Sequence, residues 1–172
     1  MNKIKGVLVV LTGLFLLVTV MSLFIPSKVV TVRGMPIHAP EAKISAEITD
    51  LKNWKRWHPV FMQDSSAVFS TPSSGTNASV QWTTTGKTNT IRITEQSPSG
   101  IKFLLIRPGE KDVENILSLA PLQDGNGYQV EWQALTHLKW YPWEKFAGIF
   151  TDKMTGPGYE VALESLRKTI EN

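Results

Sequence analysis

The sequence predicts an α+β protein in which a seven-stranded antiparallel curved sheet wraps a long C-terminal helix, with a transmembrane helix ahead of both. Three observations carry that expectation. Residues 6–25 (GVLVVLTGLFLLVTVMSLFI) contain no charge. About seventy residues in the middle alternate apolar and polar side chains between glycine- and proline-rich turns. The C-terminal part then returns to helical spacing.

The uncharged run makes a helix of ~30 Å at ~1.5 Å per residue, the thickness of a bilayer's hydrocarbon core. A cleaved signal peptide is the rival, because Lys3 and Lys5 form a basic leader. The run is longer than the usual apolar core of a signal, and Met21, Leu23 and Phe24 crowd Ser22 where small residues would be needed for cleavage. The expectation is therefore an uncleaved anchor over residues 1–27 and a folded domain over 28–172. The short N-terminal tail favours a single-pass protein whose domain lies on the extracytoplasmic side. Pro26-Ser27 leaves a tether of ~10 Å at most.

Composition then excludes several function classes. Lys3 and Lys5 account for two of the 18 basic residues, so the domain sets 16 against 15 acidic ones. A near-neutral balance gives no basic face for nucleic acid. Lys52, Lys55 and Arg56 are the one tight basic group, and a solvated helix face explains them. With no cysteine, disulfides, thiolate catalysis and cysteine metal sites are all ruled out. His38, His58 and His137 are far apart with no ligand spacing, so no metal is expected. No nucleotide-binding, nucleophile-elbow or zinc-protease motif is present; no cofactor and no catalytic residue are assigned.

The elements follow in order. KVVTVR over residues 28–33 is β-branched and suits a strand leaving the membrane. Ala39-Pro40-Glu41 starts a helix, with proline in its first turn and an acid at its positive end. Ile44, Ile48 and Leu51 line its apolar face. Asp50 caps a second short helix through Trp57, and Pro59 stops it. Strands are then expected near 66–70, 78–85, 88–96, 101–107, 112–121 and 128–136. TPSSGTN, Gly86-Lys87, Pro98-Ser99-Gly100, Pro108-Gly109 and Asp124-Gly125-Asn126-Gly127 separate them as turns of one meander. In the last strand Tyr128, Val130, Trp132 and Ala134 face one way; Gln129, Glu131 and Gln133 face the other. Trp140-Tyr141-Pro142-Trp143 leads into a helix with Phe146, Ile149, Phe150 and Met154 on one face. Gly156-Pro157-Gly158 should break or kink it.

A sheet with one wet face must cover the other, and the late helix is the element long enough to do so. A twisted sheet need not close fully on one helix. The expected consequence is an apolar, aromatic cavity between them. Its candidate lining is Trp54, Trp57, Trp82, Phe103, Leu117, Val130, Trp132, Phe146, Phe150 and Met154. His58 is either a rim group or a surface residue at a helix end. Arg92 points outward, since Ile91 and Ile93 already define the buried face. Arg107, Glu114 and Asp152 are expected to be solvated.

These residues resemble the helix-grip superfamily, which includes START-type lipid-binding domains and the polyketide cyclase/dehydrase-like proteins labelled SRPBCC. The similarity is strongest to membrane-tethered bacterial members of the cyclase-like branch. It runs through residues 24–43 (FIPSKVVTVRGMPIHAPEAK), 50–60 (DLKNWKRWHPV), 75–82 (GTNASVQW), 93–103 and 148–166. Asp50-Leu51-x-Asn53-Trp54-x-x-Trp57 and Asp152-Lys153-Met154-x-Gly156-Pro157 are its most specific parts. Asn77 stands where relatives tend to carry glycine, so the turn there relies on asparagine tolerating positive φ. The resemblance implies the fold and a cavity for a hydrophobic small molecule or lipid, but transfers no catalytic residue. It also implies that the first strand pairs with the last. That pairing puts Trp140, Tyr141 and Trp143 near Lys28, either as a membrane contact or packed under the final helix. The alternatives are a cyclase or dehydratase acting on an aromatic or polyketide substrate, and a structural or interaction module with a filled core.

Overall fold

The computed structural model describes residues 2–63, 66–123 and 125–172; Asp124, assigned above to a turn, lies outside them. The apolar helix α1 (Asn2–Leu23) leads through a short turn into β1 (Lys28–Ile37). Then come α2 (Glu41–Thr49), a 3-10 helix (Leu51–Arg56), α3 (Pro59–Gln63), β2 (Val68–Phe69), β3 (Ser79–Thr84), β4 (Lys87–Ser97), β5 (Gly100–Ile106), β6 (Val113–Pro121), β7 (Tyr128–His137), α4 (Pro142–Gly148) and α5 (Thr151–Glu171). α1 is long and apolar enough to cross a membrane, and its apolar side chains are exposed along almost its whole length.

The seven strands form one antiparallel sheet in the order β1-β7-β6-β5-β4-β3-β2. β1 pairs with β7 from Lys28 opposite His137 to Ile37 opposite Tyr128, so the first strand lies beside the last. Pro36 is tolerated because β1 is an edge strand, where a missing donor costs no ladder bond. The register of β4 on β5 shifts between Ile93 and Glu95, a local irregularity of the kind that bends a strand and increases its twist. Asn77 sits at φ +71, as its turn requires.

The inner face of the sheet is apolar at alternate positions: Val80 and Trp82, Ile91 and Ile93, Ile101 and Phe103, Leu117 and Leu119, Val130 and Trp132. Arg92 points outward, as expected. α5 lies across β1 and closes the core with Ala162, Leu163, Leu166 and Ile170, whose spacing keeps them on one helix face. From the other side, α2 and the 3-10 helix insert Ile44, Ile48, Leu51, Trp54 and Trp57. Asp50 accepts from Lys52 N–H at 2.9 Å and from Ser73 Oγ at 2.7 Å, which fixes the turn that delivers both tryptophans.

Three local expectations are corrected. Pro59 does not merely stop the Trp54/Trp57 helix; it opens α3, because proline's fixed φ suits a first helical position. Gly156-Pro157-Gly158 does not interrupt the C-terminal helix, which runs continuously through Pro157. Arg33 explains the continuity: its guanidinium binds Asp152 through both terminal nitrogens at 3.0 and 3.1 Å and Glu160 through Nε at 2.5 Å. Those carboxylates lie on either side of Pro157, so β1 clamps the turn that lacks a donor. Gly156 leaves the room the guanidinium needs, since a Cβ there would collide with it. The break falls instead at Ile149-Phe150, between α4 and α5.

The helical face expected to be buried before that break is largely open instead. Ile149, Phe150 and Met154 are exposed, and Phe146 is half-buried. α4 turns away from the sheet and packs against the end of α1. Lys145, buried despite its charge, donates from Nζ to Ile25 O at 2.8 Å and to Ser27 Oγ at 2.5 Å. A charge-bearing group thus caps the carbonyl end of the turn that follows the apolar helix.

Candidate functional site

The core between sheet and helices is filled on one side and open on the other. On the filled side Trp54 and Trp57 are fully buried, with ring centroids 5.1 Å apart. Their indole N–H groups donate to Ile48 O at 3.0 Å and Glu47 O at 3.2 Å. Both polar edges are therefore satisfied by the helix before them, which lets the rings occupy the interior without a stranded donor. Leu117 and Val130 are closed off in the same core.

On the open side, a cleft of about 360 Å³ lies between the first half of α5 and the inner face of the sheet. Trp82, Ile91, Phe103, Leu105 and Trp132 make its apolar wall, and Met154, Gly158 and Ala162 make the helical wall. Of the candidate lining residues, the structure brings Trp82, Phe103, Trp132 and Met154 together here. Trp54, Trp57, Leu117 and Val130 lie behind this wall, whereas Phe146 and Phe150 lie outside it on the α4 side.

The polar groups at the cleft are few. His58 lines it rather than standing on the outer surface. Its ring stacks on Trp54 at 5.3 Å with planes 7° apart, and Phe61 and Trp132 flank it at 4.9 and 5.9 Å. What exposure the ring keeps faces the cleft, so burial pushes its pKa down to about 4 and the imidazole is neutral at pH 7. Val60 N–H donates to Nδ1 at 3.3 Å, so the neutral tautomer carries its hydrogen on Nε2. His58 thus offers a donor and no charge.

Asn115 is 2% exposed, on an otherwise apolar inward face of β6. Its Oδ1 accepts from Trp132 Nε1 at 2.9 Å and its Nδ2 donates to Val113 O at 2.9 Å. It locks the indole that forms the floor of the cleft. The sequence held a signal for it: Val113, Leu117 and Leu119 are apolar at alternate positions, and Asn115 breaks the alternation. Tyr159 packs on Trp132 at 4.9 Å, and burial raises its hydroxyl pKa against the opposing charge of Arg107. Arg107 lines the cleft too and pairs with Glu110 at 3.2 Å. Neither Tyr159 nor Asn115 was singled out by sequence reasoning.

The aromatic segment before α4 is outside the core. Trp140 and Trp143 are 66% and 64% exposed, with Tyr141 stacked on Trp143 at 5.0 Å. Lys145, two residues beyond Trp143, bonds to the chain just after α1, so these rings sit where the apolar helix ends. Among the described residues, no three histidine, aspartate or glutamate side chains gather as a metal site.

No family model matches the chain, and no curated protein matches it. Solved structures do. A START superfamily protein from Mycobacterium smegmatis aligns with TM-score 0.61 at 13% identity over 83% of this chain and 97% of its own. A protein from Thermobifida fusca aligns with TM-score 0.62 at 19% identity over 80% and 90%. DynU16, from the dynemicin biosynthetic locus, aligns with TM-score 0.60 at 13% identity over 83% of this chain and 47% of its own. At such identities the likeness is one of fold: the chain has the START-like, SRPBCC helix-grip fold.

Proposed function

We propose that this protein is a membrane-anchored START-like domain over residues 28–172 that binds a hydrophobic small molecule or lipid in the cleft under α5. The cleft itself carries the reading. Its volume is at the low end of the ~300–1,000 Å³ usual for ligand pockets, which suits a single acyl chain or a small ring system rather than a two-chain lipid. Each CH₂ moved from water to this wall contributes ~0.8 kcal/mol, so binding grows with the length of chain buried.

Residues 1–27 hold the domain as a single-pass anchor, with the domain on the extracytoplasmic side. Trp140, Tyr141 and Trp143 rest on the bilayer beside it. Tryptophan and tyrosine favour the headgroup region, where an apolar ring and a polar edge are both accommodated. Exposed Phe150 and Met154 extend that ridge to the cleft, so a ligand passes between bilayer and cleft along apolar surface.

Native mass spectrometry of the full chain released from nanodiscs tests the proposal. A co-purifying apolar mass is expected, and it should disappear in Gly158→Phe. Gly158 lines the cleft on an exposed part of α5, and a Cβ there meets nothing within 4 Å, so the new ring has space to fill the cleft without disturbing the fold. A chain without bound mass that also shows no saturable uptake of long-chain alcohols would support a second reading, an interaction module with a filled core. The aromatic packing of Trp54, Trp57, Phe61 and Phe103 favours that reading.

A further inference from the structure

The apolar cleft does not end at Arg107. A second concavity of about 380 Å³ adjoins it and shares Arg107, Thr155 and Tyr159 with it. Its character is opposite. Lys111, His137, Lys139, Glu110 and Glu144 line it, and it lies at the end of β7 that pairs with the start of β1. It therefore faces the side of the domain from which α1 departs.

The charges around it are unevenly committed. Glu110 pairs with Arg107, Glu144 accepts from the Lys139 backbone N–H at 3.0 Å, and His137 contacts Glu114 at 3.3 Å. Lys111 and Lys139 form no ion pair among the described residues. Thr155 spends its hydroxyl hydrogen on Thr151 O. The side chains presented at the junction and in the cleft are thus mainly donors: the Arg107 guanidinium, the Tyr159 hydroxyl and His58 Nε2–H. A ligand that meets them well brings acceptors, and a negative charge gains most from the arginine.

We infer that the two concavities form one site for an anionic single-chain amphiphile: its chain lies against Trp82, Phe103, Leu105 and Trp132, and its carboxylate or phosphate head meets Arg107 and Tyr159, with Lys111 and Lys139 supplying the surrounding field. This deepens the binding reading above and rests on it. The arrangement matches a general rule of ligand sites, in which apolar area supplies affinity and a small number of placed polar groups fixes orientation. The head stays on the membrane side of the domain while the chain enters under α5.

The test uses the full chain in phosphatidylcholine nanodiscs and diazirine-bearing probes: dodecanoate, dodecyl phosphate, dodecanol and dodecyltrimethylammonium. Crosslinks are mapped by peptide mass spectrometry, with labelling of α1 as the internal measure of partition into the bilayer. Relative to α1, half-saturation of residues 101–107 and 154–162 should come at about tenfold lower concentration for the anions than for dodecanol, the factor expected for one charge-assisted bond. Arg107→Gln should bring the anions close to dodecanol, Arg107→Lys should restore part of the preference, and the paired Lys111→Gln and Lys139→Gln changes should weaken it by less. Dodecanol labelling should shift far less than anion labelling in every variant, since a neutral hydroxyl loses at most one weaker bond with Arg107, and its persistence reports an intact cleft. Preference for the phosphate indicates a phospholipid-derived ligand and preference for the carboxylate a fatty acid; both support the site. Equal labelling by anion, alcohol and cation, or an anion preference that survives Arg107→Gln, overturns the head-group assignment alone. Absence of saturable labelling of the cleft by every probe overturns the binding reading together with it.

Discussion

Trp54 and Trp57 on one side of the domain, and Trp140 and Trp143 on the other, are the same residue at the same three-residue spacing with opposite fates. The first pair is fully buried, with both indole N–H groups bonded to backbone carbonyls of α2. The second pair is mostly exposed beside the end of α1. What differs is the surface opposite. The 3-10 helix faces the apolar inner strands, whereas α4 faces the turn after α1, to which Lys145 ties it. An aromatic residue becomes core or contact surface according to what its element packs on.

Removing one ring from each side should separate the two environments. Trp54→Ala should cost about 3–5 kcal/mol, as large-to-small changes in a closed core do, and should show as a large drop in the denaturation midpoint. Trp143→Ala should stay within about 0.5 kcal/mol of the parent, because an exposed side chain leaves no cavity. If both lose comparable stability, the two sides are alike and α4 belongs to the core.

His58 belongs to both sides, since it stacks on Trp54 yet faces the cleft. Its folded pKa of about 4 lies below the ordinary histidine value, so the unfolded chain binds more protons between these values. Stability is then full above pH ~6.5 and falls on acidification toward pH 4, by an amount on the order of 3 kcal/mol. Denaturation followed across this window should show that slope, and His58→Phe should flatten it. An unchanged slope would place the acid sensitivity elsewhere.

Gly158→Ala is the smaller test on the open side. The position is helical and exposed with free space around it, so losing glycine's backbone freedom should stabilise the fold by about 0.5–1 kcal/mol. Thermal unfolding measures it, and destabilisation would mean that α5 must flex there. The smallest expected effect on stability belongs to replacing Trp140 and Trp143 together by phenylalanine. The thermal midpoint should hold, while quenching of the remaining fluorescence by brominated lipids in nanodiscs should fall. Equal quenching before and after would remove these rings from the bilayer surface.

The sequence was most informative where one residue's neighbours along the chain decide its state. The alternation at Val130 and Trp132, the turn glycines, the cap at Asp50 and the uncharged length of α1 are all local properties, and the strands, the 3-10 turn and the apolar helix follow from them. It was least informative where two distant segments meet. Pro157 looks like a helix breaker until Arg33 from β1 grips Asp152 and Glu160 on either side of it. Phe146, Ile149, Phe150 and Met154 have helical spacing, but periodicity gives a face and not what that face meets.

The candidate site divides in the same way. Trp82, Phe103 and Trp132 could be named from the inward alternation of their strands; Asn115, a polar break in such a pattern, was not named. His58, Arg107 and Tyr159 come together only because a curved sheet carries the ends of β5 and β7 toward one helix. Composition and periodicity determined that this chain makes an α+β domain with an apolar interior behind an apolar helix. Which part of that interior is filled by its own tryptophans, and which part stays open, was decided by tertiary packing, because volume between segments depends on their mutual placement.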